Sequence, residues 1–476
     1  MAERPWPDVS PSRFVFPHWT MTNLPTTQGD RFPELAATVL NRAKAFGATE
    51  ADILVAEGDS VSVQVRMSEV DRLSKAREKV LGIRVFFGKR SASSSTSDFS
   101  EASLDRLVSD TCSLAKAVVE DETSGLPAPD QMAVDFPDMD MRDSRQLTVD
   151  EEIDLAKRTE QSAFTADSRI TNSEGAECSA GYGSILLANS HGFVGSYTSS
   201  SYSLSVSPIA LDSQNGGMQR DYWYSMKRKF HELDSPEQVG QEATRRTVRR
   251  LGSRSISTQE VPVIFDPEIA QGLLGHIASA ASGYSIYKGA SFLMGQLGKS
   301  IASESVTVVD DGRLANGLGS RPFDGEGLPT RRNVVVDKGV FTSYLLDTYS
   351  GRKLGMASTG NASRSVGENP TVGTTNLFLS PGNYTPEEIL KSVKRGLLVT
   401  ELIGFGVNMV TGDYSRGAVG FWIENGEIVH PVEEVTIAGN LKNMFNDIEM
   451  IGNDLVFRGR TASPTVKLRK MMVAGH

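Results

Sequence analysis

Short apolar runs bounded by turn residues recur after Ser253, and they limit the possible folds more than any other feature of the chain. The runs are Val261–Phe265, Val306–Val309, Asn333–Val336, Phe341–Leu346, Asn376–Leu379, Gly417–Ile423 and Glu434–Ile437. Asp337-Lys338-Gly339 and Asn425-Gly426 supply residues that adopt positive φ in tight hairpins. This pattern predicts a mostly antiparallel β domain, of sandwich or barrel type, over residues 255–476.

The first half of the chain alternates helical and strand-like periodicity, which predicts an α/β domain over residues 21–254. We expect helices at Pro33–Phe46, Ala102–Val119, about Val149–Ala163 and about Pro236–Leu251. We expect strands at Asp52–Ala56, Ser60–Arg66, Val80–Phe87, Ser91–Ser97, about Ser184–Asn189, Phe193–Thr198 and Ser203–Ile209. The fold class predicted for the whole chain is therefore α+β, with a helix-plus-sheet domain followed by the β domain.

Two segments differ from this pattern, one before the first domain and one inside it. Residues 1–20 are proline-rich and lack an apolar core, so we interpret them as a disordered extension or an over-long start assignment. Residues 121–143 contain Pro127, Pro129 and Pro137 among acidic residues, which favours an extended surface linker.

Composition excludes several functional classes. The 49 lysines and arginines against 59 aspartates and glutamates give a net charge of −10, which disfavours binding to nucleic acid. The two cysteines, Cys112 and Cys178, cannot build a cysteine-rich zinc cluster and fit a reducing compartment. There is no signal peptide and no apolar stretch of the ~20 residues that span a membrane. We therefore expect a cytoplasmic protein.

Two familiar catalytic or binding motifs are incomplete. Gly295–Ser300 ends like a phosphate-binding loop, but Leu293 stands where that pattern requires glycine. No serine lies in a G-x-S-x-G turn, although the chain contains six histidines. Nucleotide binding and serine hydrolysis are both disfavoured.

One histidine lies in a helix that looks built to support a site. Asp266 is a suitable N-cap before Pro267, and apolar spacing predicts a helix to about Gly283. His276 falls at the edge of the packed face, where an ordinary structural role is the simpler interpretation. A single imidazole cannot hold zinc, which needs three or four ligands.

The sequence around this helix resembles the TldD/PmbA family, formerly called modulators of DNA gyrase, and specifically its PmbA/TldE-like branch. The resemblance begins with Gly272-Leu273-Leu274-Gly275-His276 and extends from about Phe32 to the C-terminus. Its further motifs are Ala281–Gly283, Pro322–Gly327, Tyr349–Gly355, Ser358–Gly360, Thr411–Ala418, Phe421–Glu427, Ile437–Leu441 and Gly452–Asp454.

The resemblance also indicates what this chain lacks. The TldD branch is a zinc metallopeptidase with a His-Glu-x-x-x-His helix and a cysteine ligand near its C-terminus. In register with that helix, this chain has Gly275, His276 and Ala280, and there is no cysteine from Arg458 to Gly475. We therefore expect no metal and no catalytic residue in this chain, and zinc in a TldD-like partner.

The resemblance implies a noncatalytic subunit, inactive alone, of a TldD/TldE-type complex that degrades unfolded peptides or removes leader peptides. The alternative is a stand-alone homodimer that binds peptides or regulates without protease activity. His276, Asp413, Tyr414 and Arg416 are candidates for contact with a substrate or a partner, and for the last three a structural role in a hairpin connection is equally consistent with the sequence. Arg245-Arg246 and Arg249-Arg250 suit either an interface or a solvated helix face.

Overall fold

The computed structural model describes residues 32–212 and 217–475, so the extension predicted at residues 1–20 lies outside the described residues. Its first sheet has the strand order β3-β2-β1-β4-β5-β6, with β7 also paired to β5, and every pairing is antiparallel. The strands are β1 (Glu50–Arg66), β2 (Glu69–Phe87), β3 (Arg90–Thr96), β4 (Ile170–Asn189), β5 (Val194–Leu211), β6 (Met218–Arg220) and β7 (Trp223–Lys227).

These strands are longer than the sequence predicts. In β1 and β5, runs expected to be separate join into single strands, while β2 and β4 begin at Glu69 and Ile170, well before the runs predicted at Val80 and about Ser184. Gly58 was expected to break β1, but it is paired with Glu78 on one side and Gly183 on the other. The serines between the two predicted halves of β5 are paired in the same way with Gly181–Gly183 of β4. Pairing to neighbouring strands thus overrides the weak strand propensity of glycine and serine.

Four helices cover this sheet within the described residues: α1 (Phe32–Ala45), α2 (Glu101–Ala117), α3 (Val149–Ala166) and α4 (Pro236–Val248). The first pair contacts β1 to β3, and the second pair contacts β4 and β5. Thr148 caps α3 in a reciprocal arrangement with Glu151, as the sequence Thr-x-x-Glu favours.

The C-terminal half contains a barrel-like sheet and a smaller sheet, so the fold class is α+β, as expected. Its strands are β8 (Gln259–Phe265), β9 (Val308–Asp311), β10 (Arg332–Asp337), β11 (Val340–Phe341), β12 (Ala362–Ser363), β13 (Thr371–Val372), β14 (Leu377–Leu379), β15 (Arg395–Ile403), β16 (Asp413–Glu424), β17 (Glu427–Asn440), β18 (Ile448–Ile451), β19 (Thr461–Ala462) and β20 (Val466–Ala474). Its helices are α5 (Pro267–Ala281), α6 (Gly283–Tyr287), α7 (Thr348–Leu354), α8 (Pro386–Lys391) and α9 (Leu441–Asn446).

The larger sheet runs β17-β16-β15-β8-β20-β18, and an added pairing between β17 and β20 closes it into a ring. The smaller sheet runs β11-β10-β9-β14-β19. Positive φ at Lys338, Gly339, Asn425 and Gly426 forms the two tight hairpins that the sequence predicts. Helix α5 packs into the core between the two sheets, where it contacts β14, β15 and β19.

The segment 121–143 is largely extended, as its prolines predict, and its exposed residues alternate with buried ones. Its apolar side chains Leu126, Met132, Ala133, Met139 and Met141 are buried. The segment is therefore only in part the surface linker that the sequence predicts, because these side chains fill space between the two domains, while the prolines allow no regular structure beyond the short turn at Pro129–Gln131. The backbone joins both domains, since Ala133 N donates to Gly327 O at 2.9 Å and Ser200 N donates to Met141 O at 3.1 Å.

A buried ion cluster also joins the domains. Asp52 on β1 accepts hydrogen bonds from Arg84 on β2 at 2.5 Å and from Arg364 of the C-terminal half at 2.7 Å. Burial by itself would raise the pKa of Asp52, but the two guanidinium groups outweigh it and hold the pKa below its usual range. The cluster therefore fixes the first sheet against the C-terminal domain through charged groups.

Three of the four arginines at the end of α4, Arg246, Arg249 and Arg250, contact the C-terminal domain, whereas Arg245 is exposed and pairs with Glu242 of the same helix. Arg246 is buried and lies 3.6 Å from Asp266, the residue that caps α5. Arg250 pairs with Glu401 on β15 at 2.7 Å. Helix α4 is thereby linked to the start of the helix that carries His276.

None of the helices in the described residues is long and apolar enough to cross a membrane.

Candidate functional site

Helix α5 presents one buried face and one open face. Its side chains Leu273, Leu274 and Ile277 enter the core, whereas Gly272, Gly275 and Ser279 are exposed. The helix begins where the sequence predicts, because the Asp266 carboxylate accepts a hydrogen bond from Glu268 N at 3.1 Å and Pro267 occupies the first turn. The open face is lined by small residues and is the candidate site for binding another molecule.

The positions in register with a His-Glu-x-x-x-His motif do not share that open face. Gly275 is exposed, and a Cβ added there would meet no atom within 4 Å. Ala280 is 0% exposed and belongs to the hydrophobic core, where its carbonyl accepts a hydrogen bond from Ser291 Oγ at 2.6 Å. Two ligands at these positions would therefore point into different environments.

His276 lies between the two faces and is half-buried. Its ring contacts Tyr414 edge to face, with the ring centres 6.0 Å apart. Burial, together with the nearby positive charge of Arg416, lowers the pKa of His276 below its ordinary value. The imidazole is therefore neutral at physiological pH.

Tyr414 forms the inner wall of this arrangement. It is buried on β16, and burial raises the pKa of its hydroxyl to about 12, so the phenol remains protonated. Arg416 follows on the same face of the strand, since alternate residues share a face. Its Nη2 donates to Leu402 O at 3.5 Å, while its Nε is buried and has no acceptor among the described residues.

Asp413 is separated from this group because it points to the opposite face of β16. It is exposed and accepts hydrogen bonds from Thr411 Oγ1 at 2.6 Å and Asn440 Nδ2 at 3.0 Å. These two bonds, the one from Thr411 first, lower the pKa of Asp413. The structure thus brings together His276, Tyr414 and Arg416, and it places Asp413 at the first residue of β16, pointing away from them.

The side chains at this site do not fit a metal ion. Across residues 32–212 and 217–475, no three His, Cys, Asp or Glu side chains are grouped so that they could hold one. Cys112 and Cys178 are buried in the N-terminal domain, away from α5. A neutral imidazole, a protonated phenol and a guanidinium can donate or accept hydrogen bonds, as in the binding of a peptide backbone.

The motif Pro322–Gly327, whose role could not be interpreted from the sequence, contains two buried carboxyl groups, those of Asp324 and Glu326. Asp324 accepts from the backbone N of Glu326, Leu328 and Ala362 at 2.9 to 3.1 Å. Glu326 accepts from Thr348 N at 2.8 Å. Burial raises the pKa of both groups, and the charge of Asp324 raises that of Glu326 further. The run Pro322–Gly327 therefore organises the backbone at the domain junction.

The feature that sequence reasoning missed is an exposed apolar loop beside this site, residues 403–411. Phe405 at its tip is 98% exposed, and Ile403 and Val410 are more than half exposed. The available signal was a run without any charged residue, Ile403–Gly412, in a chain of which 23% is charged.

Three family models match consecutive parts of the chain. Residues 51–115 match domain 1 of the PmbA/TldA metallopeptidases, residues 142–251 match the central domain, and residues 258–475 match the C-terminal domain.

Individual proteins show the same relationship. The metalloprotease PmbA of Escherichia coli O157:H7 is 41% identical over 89% of this chain and 92% of its own. A solved structure from Bacteroides thetaiotaomicron, a candidate modulator of DNA gyrase, superimposes with a TM-score of 0.87 at 28% identity, covering 95% of this chain and 100% of that chain. TldE from Thermococcus kodakarensis shares the fold, with a TM-score of 0.84 at 22% identity over 93% of this chain and 100% of its own.

Proposed function

The chain belongs to the PmbA/TldD metallopeptidase family, and we propose that within it the chain is a metal-free, noncatalytic PmbA/TldE-like subunit of a TldD/TldE-type zinc metallopeptidase complex. The observation that carries this proposal is the environment of Ala280. A second metal ligand is expected at this position, yet the side chain is 0% exposed and surrounded by apolar residues. A histidine would require space that the packed core does not offer.

The open face of α5 is consistent with a binding role in place of catalysis. His276 and Arg416 offer neutral and charged hydrogen-bonding groups beside small residues, which leaves room for an extended peptide. In the proposed complex, a TldD-like subunit supplies the zinc, while this chain supplies part of the wall that holds an unfolded peptide. We further propose that the complex works in the cytoplasm.

The test is metal content and peptidase activity of the chain alone and with its partner. The chain is purified without a metal-affinity tag from cells grown with zinc, and also co-expressed with the TldD-like subunit of the same organism. We expect far less than one zinc per chain and no peptide cleavage from the chain alone. We expect zinc and cleavage of an unfolded peptide when the partner is present.

Two results contradict the proposal. A stoichiometric zinc that resists chelators in the chain alone would make it an enzyme in its own right. A metal-free homodimer that does not bind the TldD-like subunit would favour a stand-alone peptide-binding protein. His276→Ala tests whether this chain takes part in the chemistry. The substitution should leave the rate of the chemical step in the complex unchanged, because His276 touches no reacting group in this proposal.

A further inference from the structure

A cavity of about 600 Å³ lies beside the C-terminal ends of α3 and α4. The two helices are packed against each other there, because Thr244 Oγ1 donates to Ala163 O at 3.0 Å. A volume of this size suits a small organic molecule, since ligand sites usually measure about 300–1,000 Å³. The side chains on its wall therefore indicate which class of molecule fits it.

The wall of the cavity is basic in a chain whose net charge is −10. Arg169, Arg245 and Arg249 line it, together with the single carboxylate of Asp167. Two of these arginines are already paired, since Arg169 Nη2 lies 2.7 Å from Asp167 Oδ2 and Arg245 Nη2 lies 2.6 Å from Glu242 Oε1. Both pairs are partly exposed, so their guanidinium groups can still donate to a ligand.

The third arginine, Arg249, forms no ion pair in the part of the chain that the structure describes. Its guanidinium lies over the ring of Phe421, 4.7 Å from the ring centre, and its Nε and Nη2 atoms are buried without an acceptor. Burial, and then the charges of Arg246 and Arg245, lower the pKa of Arg249 to about 10 because they outweigh the carboxylates around it. The group is still protonated at neutral pH, so it carries a positive charge that no counter-ion neutralises.

An anion in the cavity would neutralise this charge. Guanidinium groups bind phosphate and carboxylate through parallel N–H donors, and Arg169 and Arg245 present such donors on the same wall. Ala166 and Val248 add an apolar part to the wall, and the volume exceeds what one phosphate ion fills. The cavity therefore suits an anion with an organic body. A nucleic acid strand would instead need basic groups spread along a surface.

We propose that this cavity binds a small organic anion, whose phosphate or carboxylate group is held by the charge of Arg249 and by hydrogen bonds from Arg169 and Arg245. This inference goes beyond the proposed function and does not depend on it, because such binding needs neither zinc nor a partner subunit. It assigns a second binding site to the chain, formed by α3 and α4 instead of α5.

The experiment measures the binding of phenyl phosphate, benzoate and inorganic phosphate to the full-length chain by isothermal titration calorimetry in Tris buffer. We expect phenyl phosphate to bind more tightly than inorganic phosphate, because its ring can contact the apolar part of the wall. Its affinity should fall as NaCl is added, because salt screens the attraction. Tighter binding of phenyl phosphate than of benzoate identifies the ligand as a phosphate, and the reverse order identifies it as a carboxylate.

Arg249→Gln should weaken the binding of phenyl phosphate by about tenfold or more, because it removes the charge without a counter-ion. Arg249→Lys keeps that charge and should retain most of the affinity. Arg106→Gln is the matched control, because Arg106 is an exposed arginine on α2, and it should leave binding unchanged.

Asp167→Asn should strengthen the binding of phenyl phosphate several-fold. The substitution removes the carboxylate that competes with the ligand for Arg169, while the amide oxygen can still accept the hydrogen bond from Arg169 N. A purely structural role of these side chains would not raise the affinity.

The inference is wrong if none of the three probes binds, or if Arg249→Gln binds phenyl phosphate as tightly as the wild type. Unchanged affinity in Asp167→Asn would equally show that the anion does not occupy this cavity. Thermal unfolding checks that each variant folds. If Arg249→Gln does not fold, Arg169→Gln takes its place, because the side chain of Arg169 is about half exposed, and it should weaken binding. Metal content and peptidase activity are measured separately, so failure here leaves the proposed function standing.

Discussion

The buried carboxyl groups of Asp324 and Glu326 differ in the number of hydrogen bonds they accept and therefore in how readily they ionise. Asp324 accepts three backbone N–H groups, which favour its ionised form, whereas Glu326 accepts one. The nearby Asp347 opposes ionisation of Glu326, and Arg84 favours it. Since burial and the charge of Asp324 raise its pKa to about 7, Glu326 is the group of the pair that takes up a proton first as the pH falls.

This arrangement makes stability depend on pH. A carboxyl group whose folded pKa is raised binds more protons in the folded state, so its stabilising effect is complete below its ordinary pKa of about 4.3 and is lost as pH rises through the raised value. We expect the wild-type free energy of unfolding, from urea titrations, to fall between about pH 5 and about pH 8. Glu326→Gln should reduce that fall, because the amide does not titrate.

The exposed residue Glu78 offers a control on the same pH series. Glu78→Gln should follow the wild-type curve. An unchanged slope in Glu326→Gln would show that Glu326 is ionised in the folded protein.

For single residues, the sequence indicated which positions belong to the motif, but it did not indicate whether their side chains are buried or exposed. The prediction that Gly275 and Ala280 replace metal ligands rests on the register of the surrounding motif, and it stays a prediction. The burial of Ala280 was not readable, because alanine is common on both faces of helices. Asp413, Tyr414 and Arg416 are close together in the sequence, but strand alternation separates the first from the other two.

Helix α5 has an unusual composition for its position in the fold. Gly272 and Gly275 lie in its interior, where glycine costs about 1 kcal/mol relative to alanine. Both glycines have open space where a Cβ would be. The structure therefore gives no packing reason for them, which fits a face kept clear for another molecule.

Gly275→Ala should accordingly stabilise the isolated chain by about 0.5–1 kcal/mol, because alanine is the better helix former and meets no neighbour. Urea unfolding of the purified chain measures this change. Gly420→Ala on β16 is the contrasting control and should destabilise, since its Cβ would lie 1.9 Å from Leu398 O. Destabilisation by Gly275→Ala would mean that the face of α5 is not open.

Among elements, the five long helices α1 to α5 were predicted better than the strands, whereas the short helices α6 to α9 were not predicted. The start of α3 follows from the capping sequence at Thr148, and the start of α5 follows from Asp266 and Pro267. Strand ends depend on partners that are distant in the sequence, so local glycines and serines misled the prediction for β1 and β5. The exposed apolar loop of residues 403–411 was missed because its conformation depends on backbone contacts with β16.

The whole molecule is held together by contacts that include charged groups. Asp52 balances Arg84 and Arg364 at the junction of the two domains, and the side chain of Arg364 is 0% exposed. Removal of the single acid would leave two buried cations without their partner. Such losses cost about 3–5 kcal/mol.

We therefore expect Asp52→Ala to lower the free energy of unfolding by about 3–5 kcal/mol, measured by urea titration. Asp59→Ala is the matched control on the same strand, because Asp59 pairs with the exposed side chain of Arg77 at 3.4 Å. Exposed pairs contribute at most about 1 kcal/mol. Similar losses in the two variants would show that the buried cluster does not hold the domains together.

Closure of the barrel has a consequence for how the protein is made. Strand β20 lies between β8 and β17, and Thr258 Oγ1 donates to the carbonyl of Gly475 across 217 residues of chain. During synthesis on the ribosome, β8 emerges long before the strand that completes its pairing. The first sheet and its helices have all their strands much earlier. The nascent chain therefore carries one finished domain and one open domain until β20 has emerged, and until then the edge of β8 that pairs with β20 stays exposed.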